Sequence, residues 1–200
     1  MKSLITAAIM ALLSLRGHAQ AGAREFPRWH INLEGLTQTT GVFAESYRLP
    51  GIRTQFSGGK GLQTGVEYVY SGKKCGQLFQ HTALAAYGTR HETGWGAMTA
   101  LGYRFLLGRA YVEAQAGVGY LQTTFRQDRE LQDDQGNFSR EKFRASGLAP
   151  VAALGAGYQI NTKWKVYLRY YHHAQLGTEA TPGDVRLHRN LNLGVSLKLK

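Results

Sequence analysis

The sequence predicts an all-β fold, an eight-stranded antiparallel up-and-down transmembrane β-barrel. Three observations predict it: period-two segments recur along the chain, the connections between them alternate in length, and glycines gather on one strand face. The C-terminal stretch LHRNLNLGVSLKLK shows the period most clearly. Leu191, Leu193, Val195, Leu197 and Leu199 alternate there with Asn190, Asn192, Gly194, Ser196 and Lys198. Successive side chains of a strand point to opposite faces, so one face meets an apolar medium and the other a polar one.

The chain opens MKSLITAAIMALLSLRGHAQAGA. Lys2 followed by an apolar Ser3–Leu15 and the small-x-small site Ala19-Gln20-Ala21 reads as a secretory signal peptide over 1–21. The apolar run is too short to span a bilayer as a helix. Residues 22–200 are expected to form one barrel domain, and no later run is long and apolar enough for a transmembrane helix. The lone Cys75 offers no intramolecular disulfide. Formal net charge is +11. Export argues against nucleic acid as the partner of that charge, and anionic lipid or lipopolysaccharide phosphates are the natural counterparts.

Eight strands are expected, roughly at Trp29–Leu36, Gly61–Tyr70, Gln77–Gly88, Gly94–Leu106, Ala110–Thr123, Ala145–Ile160, Trp164–Ala174 and His188–Leu199. The first opposes Trp29, Ile31 and Leu33 to His30, Asn32 and Glu34. The second opposes Leu62, Val66, Tyr68 and Tyr70 to Gln63, Gly65 and Glu67. The third, QLFQHTALAAYG, is ambiguous, because Gln80 and His81 put a polar group on each face, as around a bulge. The fourth sets Trp95, Leu101, Tyr103 and Phe105 against Gly96, Gly102 and Arg104. The fifth sets Val112, Val118 and Tyr120 against Tyr111, Glu113 and Gly117, and the sixth Leu148, Leu154 and Tyr158 against Gly155 and Gly157. The seventh alternates Trp164, Val166, Leu168 and Tyr170 with Lys165, Tyr167, Arg169 and Tyr171. Ser71–Gly76, Leu107–Arg109 and Asn161–Lys163 are brief links, whereas Thr37–Lys60, Phe125–Arg144 and Gln175–Leu187 are long and Thr89–Thr93 is of middling length. Membrane barrels put short turns in the periplasm and long loops outside.

Alternation alone fits a water-soluble barrel equally well, and three features favour lipid. Glycine makes up 25 of 200 residues, against an ordinary share of about 7%, and Gly65, Gly96, Gly102, Gly117, Gly119, Gly155 and Gly157 cluster on the polar face, where a narrow lumen needs room. Aromatics on the apolar face sit toward strand ends: Trp29, Tyr70, Phe105, Tyr158 and Trp164 near the short turns, and Trp95, Tyr120 and Tyr170 near the loops. Two such girdles match two membrane interfaces. Finally, the polar face carries Glu34, Glu67 and Glu113 opposite Arg104, Lys165 and Arg169, with Lys198 a further cation. Sealed in a lumen, these groups have to pair, because an unpaired buried charge is costly.

On this pattern the chain resembles the small eight-stranded outer-membrane β-barrel family of Gram-negative bacteria over residues 22–200. The resemblance implies outer-membrane lipid and lipopolysaccharide as surroundings and the barrel-assembly machinery as a partner. Many such proteins end in an aromatic residue that assists assembly; this sequence ends Leu199-Lys200. A weaker resemblance, at RYYHHAQLG (Arg169–Gly177), is to the lipid A deacylase barrels, whose catalytic histidine lies in a His-x-Ser-Asn stretch. Here His172-x-Ala174 or His173-x-Gln175 takes that place, and Glu179 has no serine to serve. Acyl transfer by that route needs a hydroxyl nucleophile.

No catalytic, metal or cofactor residue is therefore expected, and no P-loop, dinucleotide or zinc spacing occurs. The adjacent His172 and His173 point to opposite faces of a strand and cannot ligate one ion together. The stretch Arg126–Arg144 reads as an external recognition loop or a solvated hairpin tip. Arg48, Arg53, Lys60, Arg90, Arg140, Arg144, Arg186 and Arg189 place cations at the loop side, where they could contact lipopolysaccharide phosphates. The expected function is a non-enzymatic barrel that supports the envelope or presents loops to an external ligand. A narrow channel and a lipid A-modifying enzyme are the alternatives.

Overall fold

The computed structural model describes residues 29–42, 58–73, 75–132, 138–176 and 185–199; the signal segment and the rest of 1–28 lie outside them. The strands are β1 (Trp29–Val42), β2 (Gly59–Lys73), β3 (Gly76–Gly88), β4 (Glu92–Leu107), β5 (Ala110–Gln132), β6 (Phe138–Gln159), β7 (Trp164–Gln175) and β8 (Arg186–Lys198). Each pairs antiparallel with its sequence neighbours, and β8 pairs with β1 from Val42↔Arg186 to His30↔Lys198, closing the barrel. Closure leaves no strand edge, which is what allows a sheet to cross hydrocarbon.

The tight turns have local causes. Between Leu107 and Ala110, Gly108 takes φ 69°, the left-handed first position of a two-residue hairpin turn. At the β6–β7 turn, Asn161 Oδ1 accepts the backbone N–H groups of Lys163 (2.8 Å) and Trp164 (2.9 Å). Both turns lie at the end where the chain enters β1 and leaves β8.

Strand alternation is inverted relative to a water-soluble barrel. Leu62, Leu154 and Leu193 are 65%, 69% and 68% exposed, whereas Glu34, Glu67 and Arg104 are 0%, 0% and 1% exposed. The apolar surface faces lipid and the ionised groups are enclosed.

Inward-facing rings are matched to glycines across the sheet. Phe79 stands opposite Gly102, Tyr87 opposite Gly94, Tyr111 opposite Gly157, and Tyr167 opposite Gly194. A Cβ on these four glycines would come within 2.3–2.6 Å of the facing ring. Each ring occupies the space that a side chain on its facing glycine would need, and that is how a narrow lumen holds large side chains. Toward the loop end the interior turns apolar, with Tyr87 packed among Leu36, Leu121 and Ala149, and Met98 beside Val151.

Several strand limits differ from expectation. The structure contains the bulge expected in the third strand, but in β2, where the register with β3 shifts between Val69 and Ser71. Tyr70 becomes the extra residue and its hydroxyl donates to Gln80 Oε1 on the outer surface. Gln80 is thereby satisfied outside while His81 points inward, so β3 itself runs without a break against β4. β1 continues to Val42 because β8 starts early, at Arg186, and pairs with it. The largest change in limits is at Phe125–Arg144, the hairpin alternative of the sequence reading, where β5 runs on to Gln132 and β6 starts at Phe138. After a register shift between Thr124 and Asp128, the register sets Asp128 opposite Lys142, Arg129 opposite Glu141, and Glu130 opposite Arg140. The backbone ladder thus continues into a stretch without an apolar face. β4 pairs with β5 only as far as Phe125, so β5 and β6 continue as a two-stranded ribbon beyond the wall. β5, at 23 residues, is about twice the 9–11 needed to cross a membrane.

Pro150 marks a second irregularity. The β6–β7 ladder stops at Val151↔His173, next to this residue, which has no N–H. Gln175 Nε2 bridges the gap from within, donating to Leu121 O (3.1 Å) and Ala145 O (3.2 Å).

The ring-over-glycine pairing has a measurable consequence. Gly157→Ala and Gly194→Ala should each lower unfolding free energy by about 1–3 kcal/mol through overpacking. Gly35→Ala, whose Cβ would meet nothing within 4 Å, should leave it nearly unchanged. Urea titration of protein refolded into lipid vesicles measures all three, and equal effects would contradict the packing described.

Candidate functional site

The centre of the lumen is an ion-paired network built from five strands. Glu34 comes from β1, Glu67 from β2, Arg104 from β4, Glu113 from β5, and Lys165 and Arg169 from β7. All six project inward because each occupies the polar parity of its strand. Arg104 spans two carboxylates, with Nη2 2.8 Å from Glu67 and 2.7 Å from Glu113, and its Nη1 also donates to Gln77 at 3.2 Å. Arg169 reaches three, with Nη1 3.0 Å from Glu34, Nη2 3.2 Å from Glu67, and Nε 2.5 Å from Glu113. Lys165 Nζ lies 3.1 Å from Glu67. Three carboxylates thus meet three cations, and the network is neutral.

Neutral groups complete the coordination. Glu34 also accepts from Tyr167 OH (2.9 Å), Gln63 Nε2 (3.2 Å) and Asn192 Nδ2 (2.6 Å), and Glu113 accepts from Gln115 Nε2 (3.1 Å). The guanidiniums are covered by rings: Arg104 lies 4.5 Å from the Phe79 centroid and 4.6 Å from that of Tyr111, and Arg169 lies 4.1 Å from that of Tyr167. Such planar stacking combined with forked donation is particular to arginine. Phe79, Gln63, Asn192 and Gln115 were not singled out from sequence. Their polar-face parity was the available signal, and for Phe79 it was obscured by the ambiguous third strand. Lys198 faces inward too but has no bond to these glutamates; it lies at the turn-end mouth.

The outer aromatics fall in two sets. Trp29, Phe105, Tyr158 and Trp164 are exposed beside the turn end, with Tyr70 half-buried among them. Tyr68 and Tyr103 join this set, Tyr68 at 4.7 Å from Trp29 and Tyr103 at 4.7 Å from Phe105. Trp95 and Tyr120, 6.2 Å apart, lie toward the loop end, and Tyr170 packs edge-on against His172 at 4.8 Å.

The loop-end cations divide differently from expectation. Arg90 and Arg144 are exposed there, together with Lys60 and Arg126. Arg48, Arg53 and the side chain of Arg140 lie outside the described residues. Arg186 and Arg189 require correction as rim cations. Arg186 turns into the barrel mouth, 2.6 Å from Glu92 and 4.7 Å above the Phe125 ring. Arg189 is only 9% exposed, at the level of Thr39 and His172. Arg186 became part of the wall when β8 began early, whereas Arg189 lies within the strand as expected.

The paired histidines diverge. His173 points inward and stacks on Tyr171 at 5.8 Å, while His172 points outward. The cross-strand neighbours of His172 are Ala152 and Arg189, so neither flanking strand sets a serine hydroxyl opposite it. Glu179 lies outside the described residues.

A closed eight-stranded barrel with a lipid-facing apolar exterior and a filled, ionised interior is an integral outer-membrane protein. The chain belongs to the outer membrane protein beta-barrel domain family, whose model matches residues 5–198. Among solved structures it is similar to neisserial surface protein A, with TM-score 0.58 and 11% identity over 86% of this chain and 97% of that one. It is also similar to Ail, the attachment invasion locus protein of Yersinia pestis, with TM-score 0.54 and 10% identity over 85% and 97%. At these identities the likeness is one of fold. No curated protein matches the sequence.

Removing one member of the network should be severe. Glu113→Ala strips a carboxylate from both arginines and should cost about 3–5 kcal/mol, the usual penalty for an orphaned buried charge. Arg104→Lys should also destabilise, because an ammonium cannot bridge two carboxylates in a fork. Urea unfolding in vesicles reads both, and losses below about 1 kcal/mol would mean that the lumen is hydrated enough to screen the charges.

Proposed function

We propose that this protein is a non-enzymatic surface barrel that acts through its outer end, where a β5–β6 ribbon and exposed cations engage anionic phosphates such as those of lipopolysaccharide. One observation carries the reading: the lumen is filled across its centre by the Arg104–Arg169 network, while the chain invests its extra strand length outside the wall, in the hairpin. A filled lumen counts against conduction. A histidine facing alanine and arginine counts against acyl transfer by His172. Lys60, Arg90, Arg126 and Arg144 supply four exposed cations at the same end. Arginine and lysine bind phosphate oxygens by charge-assisted hydrogen bonds.

A cation near an anionic surface contributes about 1 kcal/mol, so replacing all four with glutamine should weaken lipopolysaccharide association by about a hundredfold to a thousandfold. Titration of the detergent-solubilised protein with lipopolysaccharide, followed by native mass spectrometry, measures this; unchanged association would remove the rim from the proposal. In planar bilayers the wild-type protein should show no steady unitary current. Lipid A should have the same mass with and without the protein.

A further inference from the structure

The turn-end mouth of the barrel holds a cavity of about 280 Å³ with an unusual lining. Arg104, Lys163, Lys165 and Lys198 contribute cations to it, His30 and Tyr111 contribute an imidazole and a phenol, and no carboxylate among the described residues lines it. The lumen network below is already neutral, so Lys163 and Lys198 add two unmatched positive charges. Among the described residues neither has an ion-pair partner. Lys165 gives one hydrogen bond to Glu67 and has further N–H groups to offer.

The imidazole and the phenol point the same way. His30 Nδ1 and Tyr111 OH have no hydrogen-bond partner, although their residues are only 8% and 3% exposed. A buried polar group without a partner costs about 1–3 kcal/mol, and a ligand rich in acceptors relieves that cost. Arg104, fully engaged with Glu67, Glu113 and Gln77, forms a fixed floor rather than a competing donor.

We infer that this mouth binds a small phosphate-class oxyanion from the periplasmic side, either inorganic phosphate or the phosphate of a small monoester. A dianion matches the two unmatched lysines. Its several oxygens match the ammonium, imidazole and phenol donors better than the two oxygens of a carboxylate. The site lies at the end opposite the basic rim, so it stands or falls independently of lipopolysaccharide binding.

The test uses the full chain refolded in neutral detergent, titrated with inorganic phosphate, a small alkyl phosphate monoester, or acetate at constant ionic strength, by calorimetry. Saturable binding of either phosphate probe, and weaker binding of acetate, is expected; which probe binds tighter identifies the source. Lys163→Gln with Lys198→Gln should weaken phosphate at least about tenfold, and Tyr111→Phe, which removes only the hydroxyl, several-fold. Heat-dependent gel mobility checks that each variant is folded. No saturable phosphate binding overturns the inference. So does a lysine effect that is the same for phosphate and acetate with no effect of Tyr111→Phe, since that pattern is diffuse charge attraction without a site.

Discussion

Everything else in this barrel depends on a sealed lumen having to be electrically neutral. A bundle of eight strands is too narrow for a water-filled channel, so charges that point inward lose their hydration. Here three glutamates meet Arg104, Arg169 and Lys165, and the two guanidiniums tie β4 and β7 to carboxylates on β1, β2 and β5. The network is therefore a cross-brace through the middle of the barrel as well as a plug. Hydrophobic burial between strands contributes little in a membrane, because the lipid is as apolar as the leucines it touches. The interior bonds and the closed hydrogen-bond ladder take over that role.

The brace sets the packing around it. Both guanidiniums need covering, and rings from β3, β5 and β7 cover them. The rings in turn need space, which the facing glycines provide: Gly102 under Phe79, Gly157 under Tyr111, and Gly194 under Tyr167. Charge, ring and glycine are thus three consequences of one constraint, and the high glycine content has a specific cause. The same filling lies between two different ends. The outer end is ribbon and basic rim; the inner end is a cationic vestibule above the brace.

Much of this was legible in the sequence. The parity of each strand assigned Glu34, Glu67, Arg104, Glu113, Lys165 and Arg169 to one face, because a period of two leaves no other choice once one face is apolar. Less legible were the places where pairing extends into polar sequence. Thr37–Val42 and Phe125–Arg144 lack an apolar face, so periodicity is silent there, and their strand character comes from facing partners on another strand. Arg186 was misplaced at the rim for the same reason, since early pairing of β8 with β1 drew it into the wall.

The sequence by itself determined the class of the fold, the direction in which its charges face and the membrane it inhabits, because those follow from local alternation and from the cost of burying ions. Tertiary structure alone decided which glutamate each arginine holds, where the bulge falls, and that two lysines, a histidine and a tyrosine from distant segments share one mouth. These are matters of register around a closed ring, and register is set by all eight strands together, beyond the reach of any single segment.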